Sequence, residues 1–441
     1  MFDSLLIANR GEIARRIIRT ARRLGLSTVA VYSEADAGAA HVQEADQAVL
    51  IGPPPAAASY LRVDAILEAA RSTGAQAVHP GYGFLSENAG FARAVIEAGL
   101  AWIGPAPQII AAVGDKAAAR TLMAAKGLPV NPGGEVADAA AAATLAGEIG
   151  FPLMVKAAAG GGGIGMKVVR NLDEIRATCE RTREQALRFF GDGGLLVERY
   201  LEDARHVEVQ ILGLADGRVL APGERDCSVQ RRFQKVVEET PSPGVSPGLR
   251  ARMLQTCAAA AERLGYRGAG TVECLVKGDA FVFLEVNARL QVEHPVTELV
   301  TGLDLVEAQL RVAAGEAWTP PEGPAPGGHA IELRVYAEDP VRFLPGPGPI
   351  SVWREPVGEG VRVDAGYRAG DVVSAFYDPL MAKLCVWGSD RAEALSRARR
   401  AVAEFEIEGP KSNLAFLAEV LEHPDFVSGA YDTGLVARMR R

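Results

Sequence analysis

Lysine is scarce in this chain of 441 residues: of the 47 Lys+Arg residues, only Lys116, Lys126, Lys156, Lys167, Lys235, Lys277, Lys383 and Lys411 are lysine. Cysteine is scarcer still. Cys179, Cys227, Cys257, Cys274 and Cys385 are odd in number, scattered, and form no CxxC. That excludes a disulfide framework and a zinc knuckle, and a reducing cytoplasm is the expected location. Cys227 sits in a polar segment, where a small buried thiol is the simplest reading. No apolar run approaches the ~20 residues of a membrane span, and no basic leader precedes the first apolar residues. No membrane partner or signal peptide is expected. With Lys+Arg 47 against Asp+Glu 55, the net charge is -8, so no nucleic-acid partner is expected either. There is no Gly-Lys dipeptide, no His-Arg-Asp and no Asp-Phe-Gly. A Walker A loop and a protein kinase are thereby excluded.

What is present is an ordinary globular composition, 48% hydrophobic and 23% charged, with 48 glycines. At roughly 150 residues per domain, several domains are expected. Apolar strand runs at 4–8, 28–32, 48–52, 77–79 and 102–104 alternate with helical stretches from 11, 63 and 88. Such alternation predicts a doubly wound parallel sheet, ending near Gly114. Residues 116–150 read as helices broken at 127–129 and 131–134. Residues 151–200 read as strand, glycine loop, strand, helix, strand. From about 201, long alternating strands dominate, with helices at about 248–264 and 303–314. A last strand at 381–387 precedes a helix from Asp390. The expected division is 1–114, 115–201 with a hinge at about 115–130, 202–328 and 329–441.

Residues 160–165 read Gly-Gly-Gly-Gly-Ile-Gly. A dinucleotide site would need a helix to follow, but Met166, Lys167, Val168 and Val169 are strand-like. The loop is either a floppy hairpin tip or a flap whose bare amides close over anionic oxygens. Lys156 stands just before it, and Lys116 follows Gly114-Asp115.

Residues 271–278 and 280–287 read as a hairpin. With Lys277 opposite Phe281, Glu273 faces Glu285. Like charges so opposed are destabilising unless something lies between them, and a divalent cation with oxygen ligands resolves the conflict. A different register, or a solvated face, is the alternative. Beyond them, Glu285, Asn287, Arg289, Gln291 and Glu293 recur at every second residue. In an extended strand they share one face and offer a ligand, an amide, a cation and a base. Residues 224–239 (Glu-Arg-Asp-Cys-Ser-Val-Gln-Arg-Arg-Phe-Gln-Lys-Val-Val-Glu-Glu) are densely charged and read as irregular.

At this point the sequence resembles the biotin carboxylase component of biotin-dependent carboxylases, an ATP-grasp family. The resemblance covers essentially the whole chain. It runs through 7–14 (Ile-Ala-Asn-Arg-Gly-Glu-Ile-Ala), 79–88 (His-Pro-Gly-Tyr-Gly-Phe-Leu-Ser-Glu-Asn), the glycine loop, 224–239, 265–271 (Gly-Tyr-Arg-Gly-Ala-Gly-Thr) and 287–298. It implies an α/β ATP-grasp fold: an N-terminal doubly wound parallel sheet domain, a small α+β flap domain, and a C-terminal mixed or antiparallel sheet domain. It implies ATP ligands at Lys116, Lys156, His206, Glu198, Leu201, Gln230 and Leu275, with the flap glycines Gly161, Gly162, Gly163 and Gly165. Glu273 and Glu285, assisted by Asn287, match ligands of two Mg²⁺ or Mn²⁺ ions. Lys235, Arg289, Gln291 and the Val292 backbone match a bicarbonate cradle. Glu293 matches the general base, Arg334 the cation beside the biotin ureido oxygen, and Tyr82 a wall of the biotin site.

The implied reaction is ATP- and bicarbonate-dependent carboxylation of biotin through carboxyphosphate, the first half-reaction of an acyl-CoA carboxylase. No Met-Lys-Met biotinylation site occurs in the sequence. Biotin is therefore expected on a separate biotin carboxyl carrier protein, with carboxyltransferase subunits as further partners. The alternatives are another ATP-grasp acyl-phosphate ligase, or a catalytically silent scaffold subunit. The chain departs from many relatives at Ile164 (a basic residue there), Phe233 (His or Asn) and Arg199 (Lys). A homodimer is a further implication of the resemblance, but Arg23 and Glu359 stand where the bacterial dimeric form has an acidic and an aromatic residue.

Overall fold

The computed structural model describes residues 1–158, 166–320 and 325–440. The glycine loop, including Gly161, Gly162, Gly163, Ile164 and Gly165, lies outside the described residues.

The strands Ser4–Ile7, Ser27–Ser33, Gln47–Gly52, Ala77–His79 and Ala101–Trp102 form one parallel sheet, as the alternation predicts. The last is shorter than expected, because the chain turns back at Pro105 and the Trp102 indole donates to the Pro105 carbonyl at 2.9 Å. Ser4–Ile7 lies between Ser27–Ser33 and Ala77–His79. Strand order reverses there, which opens a crevice at the carboxyl ends of Ser4–Ile7 and Ala77–His79. Asn9, leaving the first strand, donates Nδ2 to the carbonyls of Pro80 and Tyr82 at 2.7 and 2.8 Å. Tyr82 is thereby fixed at the crevice.

The small unit is a four-stranded antiparallel sheet in the order Gly133–Val136, Leu195–Arg199, Leu153–Ala157, Lys167–Val169. Gly133-Gly134, expected as a break, instead opens its edge strand. Glycine fits because at Gly133, where φ is +158°, a Cβ would meet the Val197 carbonyl at 2.5 Å. Helices Ala139–Ile149 and Leu172–Phe190 cover this sheet through Ala142, Ala146, Ile175 and Cys179.

Eight antiparallel strands make the third sheet. Their order is Ala280–Asn287, Gly268–Lys277, Arg205–Gly213, Val219–Arg231, Gln234–Thr240, His329–Tyr336, Leu380–Gly388, Val361–Ala365. The sheet runs unbroken across position 329, through the pairing of Gln234–Thr240 with His329–Tyr336. Val207, Val209 and Ile211 pack beneath the helix Pro247–Leu264, against Leu249, Met253 and Cys257. Their neighbours His206, Glu208 and Gln210 alternate to the opposite face and are buried there.

The densely charged segment 224–239 is not irregular. It is the hairpin of Val219–Arg231 and Gln234–Thr240, turning at Arg232-Phe233. Both turn residues are left-handed, with φ of 51° and 67°, as a two-residue hairpin turn of the primed kind requires. Its mixed charge reflects burial of paired ions rather than solvation.

Candidate functional site

The opposed carboxylates come from a register the sequence gets half right. Lys277 pairs with Ala280, not Phe281, so the turn is one residue tighter than expected. A bulge between Glu273 and Cys274 then takes up one residue, and Glu273 faces Glu285 after all. The row continues across the sheet: Glu208 faces Glu273 on one side and Arg225 on the other. A line of carboxylates ending in a guanidinium therefore crosses neighbouring strands on one face.

The alternating row beyond Glu285 departs from a strand. Pairing stops at Asn287, and Glu293 instead precedes the helix His294–Thr301 as its N-cap residue. The side chains converge all the same. Glu273 Oε1 accepts from Lys235 Nζ at 2.8 Å, Asn287 Nδ2 at 2.8 Å and Gln291 Nε2 at 3.0 Å. Arg289 donates to Gln291 Oε1 at 2.7 Å and to Asn287 Oδ1 at 3.2 Å, and is braced by Glu87 at 2.8 Å.

Lys235 is the hub. Its ammonium reaches Glu208 at 2.6 Å, Glu273 at 2.8 Å and Glu293 at 2.7 Å. Burial opposes its charge, but the surrounding Cys227, Glu208, Glu273 and Glu293 outweigh it and hold the lysine pKa well above its usual value. Glu293 is fully buried. Its other oxygen accepts from Arg334 Nη2 at 3.0 Å, and Arg334 is itself anchored on Glu238 through Nε at 2.6 Å. Burial alone would raise the Glu293 pKa, yet Lys235 and Arg334 drive it well below the carboxylate range. Glu238 moves the other way, up to about 7, because burial dominates over Arg334.

The nucleotide-ligand candidates line one cleft of about 620 Å³. Lys116 opens the helix Lys116–Ala125, capped by Asp115, and its Nζ lies 2.9 Å from Glu285. Lys156 and Glu198 sit on adjacent strands and pair at 2.5 Å. His206 lies 2.6 Å from Glu273 and contacts Gln230 Nε2 at 2.5 Å. Burial lowers the His206 pKa, but the Glu273 carboxylate outweighs this and raises it. Leu201 and Leu275 supply apolar wall, and Lys235, Glu273, Glu285, Asn287, Arg289, Gln291, Val292 and Arg334 line the same cleft. Glu293 lies just behind Lys235 and Arg334. Tyr82 lies outside this lining, its ring 5.9 Å from Lys383 Nζ. Of the departures, Arg199 and Phe233 both line the cleft; Arg199 donates to the Ile149 carbonyl at 2.6 Å, and Phe233 stands exposed on the hairpin turn. Arg23 is engaged within the chain by Asp304 and Glu307 at 2.8 and 2.5 Å, whereas Glu359 is 86% exposed.

The sequence reading misses Glu208, Arg225, Glu238, Glu87 and Arg120, the last lying 3.2 Å from Glu198. One signal was available: polar His206, Glu208 and Gln210 alternate with Val207, Val209 and Ile211, so three polar groups share a face of a strand.

The opposed Glu273 and Glu285, with Asn287, fit a hard divalent cation that also holds phosphate oxygens. Lysines around the cleft fit a polyphosphate. Residues 1–110 match the family described as biotin carboxylase, N-terminal domain. Residues 115–319 match the carbamoyl-phosphate synthase L chain, ATP binding domain, and residues 332–438 the biotin carboxylase C-terminal domain. The chain is 53% identical to a biotin carboxylase of Halalkalibacterium halodurans over 440 residues, covering 99% of this chain and 97% of that one. It is 47% identical to a propionyl-CoA carboxylase alpha chain of Ruegeria pomeroyi, covering 99% and 68%. The biotin carboxylase domain dimer of Hydrogenobacter thermophilus 2-oxoglutarate carboxylase, solved with MgADP, ADP and bicarbonate, superposes with a TM-score of 0.96. The two are 42% identical over 99% of this chain and 98% of that one.

Proposed function

The chain belongs to the biotin carboxylase family, and from that premise we propose that it uses ATP and bicarbonate to carboxylate biotin on a separate carrier protein. The observation that carries the reading is the convergence of Lys235 and Arg334 on the buried Glu293, beside Arg289 and Gln291, at the end of a lysine-lined cleft.

Bicarbonate is a poor nucleophile until its hydroxyl proton is removed, and a carboxylate within hydrogen-bond reach performs that step. Glu293 takes the proton. In the resting site two cations hold Glu293 strongly acidic; bicarbonate, drawing on Lys235 and Arg289, relieves that hold and restores basicity. The bicarbonate oxygen then bonds to the γ-phosphorus of ATP as the bond to ADP breaks, giving carboxyphosphate. Lys116 and Lys156 meet the negative charge that spreads over the phosphate oxygens, where phosphoryl-transfer catalysis chiefly lies. Carboxyphosphate separates into CO₂ and phosphate. The phosphate removes the N1′ proton of biotin, Arg334 stabilises the negative ureido oxygen, and N1′ bonds to CO₂. Glu273, Glu285 and Asn287 would hold two Mg²⁺ or Mn²⁺ ions. Such ions, when bound, neutralise phosphate charge.

On this reading the carrier and a carboxyltransferase are separate partners, and the product serves an acyl-CoA carboxylase. The stretches 1–114, 115–201, 202–328 and 329–441 divide the labour: biotin crevice, flap, and the catalytic and closing parts of one shared sheet. Among the described residues no helix is long and apolar enough to cross a membrane. The scaffold alternative is weakened because the charged constellation of Lys235, Glu293 and Arg334 is intact. The test supplies the chain with MgATP, radiolabelled bicarbonate and a biotinylated carrier. Acid-labile label on the carrier, matched by released phosphate, is expected; phosphate release without label would contradict the reading.

A further inference from the structure

Lys383 is fully buried, an unusual place for a lysine unless its charge is paired. It lies directly opposite Arg334 in the pairing of His329–Tyr336 with Leu380–Gly388. Its ammonium donates to the Val292 carbonyl at 3.0 Å and lies 3.0 Å from Glu12 and 4.0 Å from Asp364. Glu12 belongs to the first helix, Gly11–Arg23. One nitrogen therefore ties the N-terminal unit, the closing sheet and the loop that ends in Glu293.

The preceding carbonyl is held too. The buried ring of His294 contacts the Gln291 carbonyl through Nδ1 at 2.8 Å. A peptide unit is planar and trans, so fixing its carbonyl also fixes the N–H of the next residue, pointing the other way. The ring at Gln291 thus aims the Val292 N–H. The ammonium at Val292 fixes the plane from which Glu293 departs. A merely structural lysine would need Glu12 and Asp364 only; the bond to Val292 is additional and lands between two candidate bicarbonate contacts.

We infer that Lys383 is a positioning residue for bicarbonate activation: it locks the Val292–Glu293 peptide so that the Glu293 carboxylate faces a bicarbonate held at the Val292 N–H. This rests on the assignment of Val292 and Glu293 proposed above.

Lys383→Met alone would leave Glu12 buried without its partner, so the test combines it with Glu12→Gln. Glu12→Gln by itself keeps the Val292 bond, and its bicarbonate KM should stay within about twofold of the parent. The double variant should melt cooperatively, raise the bicarbonate KM about tenfold and lower kcat about tenfold or more. Its MgATP KM should move less than about twofold, since misplacing a reacting group costs rate without touching remote binding. Parental bicarbonate kinetics in the folded double variant would overturn the inference, as would the full defect in Glu12→Gln alone. If the methionine pair does not fold, Lys383→Gln with Glu12→Gln is read the same way, because the shorter amide falls short of Val292. A crystal structure of the double variant reads the same point without turnover: a rotated Val292–Glu293 peptide is expected, and an unmoved one overturns it. A parent chain with no bicarbonate-dependent ATP turnover would instead sink the functional reading, and the peptide geometry would still judge Lys383.

Discussion

Lys235, at the cleft wall, meets the fully buried Glu293 at 2.7 Å, and the second Glu293 oxygen is taken by Arg334 at 3.0 Å. A base so held is ionised at every physiological pH and is released for work only when its cations turn to substrate. Glu293→Gln preserves shape and removes the proton acceptor. Bicarbonate-dependent ATP turnover should fall ~10²- to 10⁴-fold, while MgATP binding by calorimetry stays at the parental value. Retained turnover would remove Glu293 from the base role.

Glu273 and Glu285 face each other across the hairpin, and Lys116 lies 2.9 Å from Glu285. Replacing either glutamate with glutamine should raise the Mg²⁺ concentration for half-maximal ATP turnover by roughly tenfold or more, the scale typical of metal-site partners. An Mg²⁺ titration at fixed ATP measures this. An unchanged midpoint in both variants would show that the cation is held elsewhere.

Glu239 makes a separate prediction about stability. It is buried against His329 at 2.5 Å, Arg391 at 2.7 and 2.9 Å, and the Tyr431 hydroxyl at 2.5 Å. Burial would raise its pKa, but His329 and Arg391 outweigh this and bring it down to about 2. A carboxylate with a depressed folded pKa stabilises the fold above its unfolded pKa of ~4.3, and that contribution fades as pH falls toward the folded value. Glu239→Gln should therefore cost about 3 kcal/mol at pH 7. The gap to the parent should narrow as pH falls from ~4 toward 2. A pH-independent gap in denaturant melts would place its role in packing rather than charge.

Much of this architecture is legible in the chain, for identifiable reasons. The helix Val63–Thr73 begins at its expected residue and the strand Ala77–His79 falls at its expected bounds, because their apolar patterns are local. The hairpin 224–239 was hidden because buried ion pairs mimic a solvated loop when read along the chain; only the cross-strand partners reveal Glu208 against Arg225. The row from Asn287 to Glu293 was misread as strand since alternate spacing also suits a loop whose side chains converge on Glu273 and Lys235. Lys383 carried no local signal, because its partners Glu12, Val292 and Asp364 are distant in sequence. Lysine scarcity was nevertheless informative: Lys116, Lys156, Lys235 and Lys383 all lie at the cleft or directly behind it.

The central claim is that ATP turnover is coupled to biotin through bicarbonate. The most direct measurement is ATP hydrolysis by the purified chain with Mg²⁺ and bicarbonate, with and without free biotin. The account predicts hydrolysis that requires bicarbonate and rises on adding biotin. A folded, ATP-binding chain whose hydrolysis ignores both would contradict it.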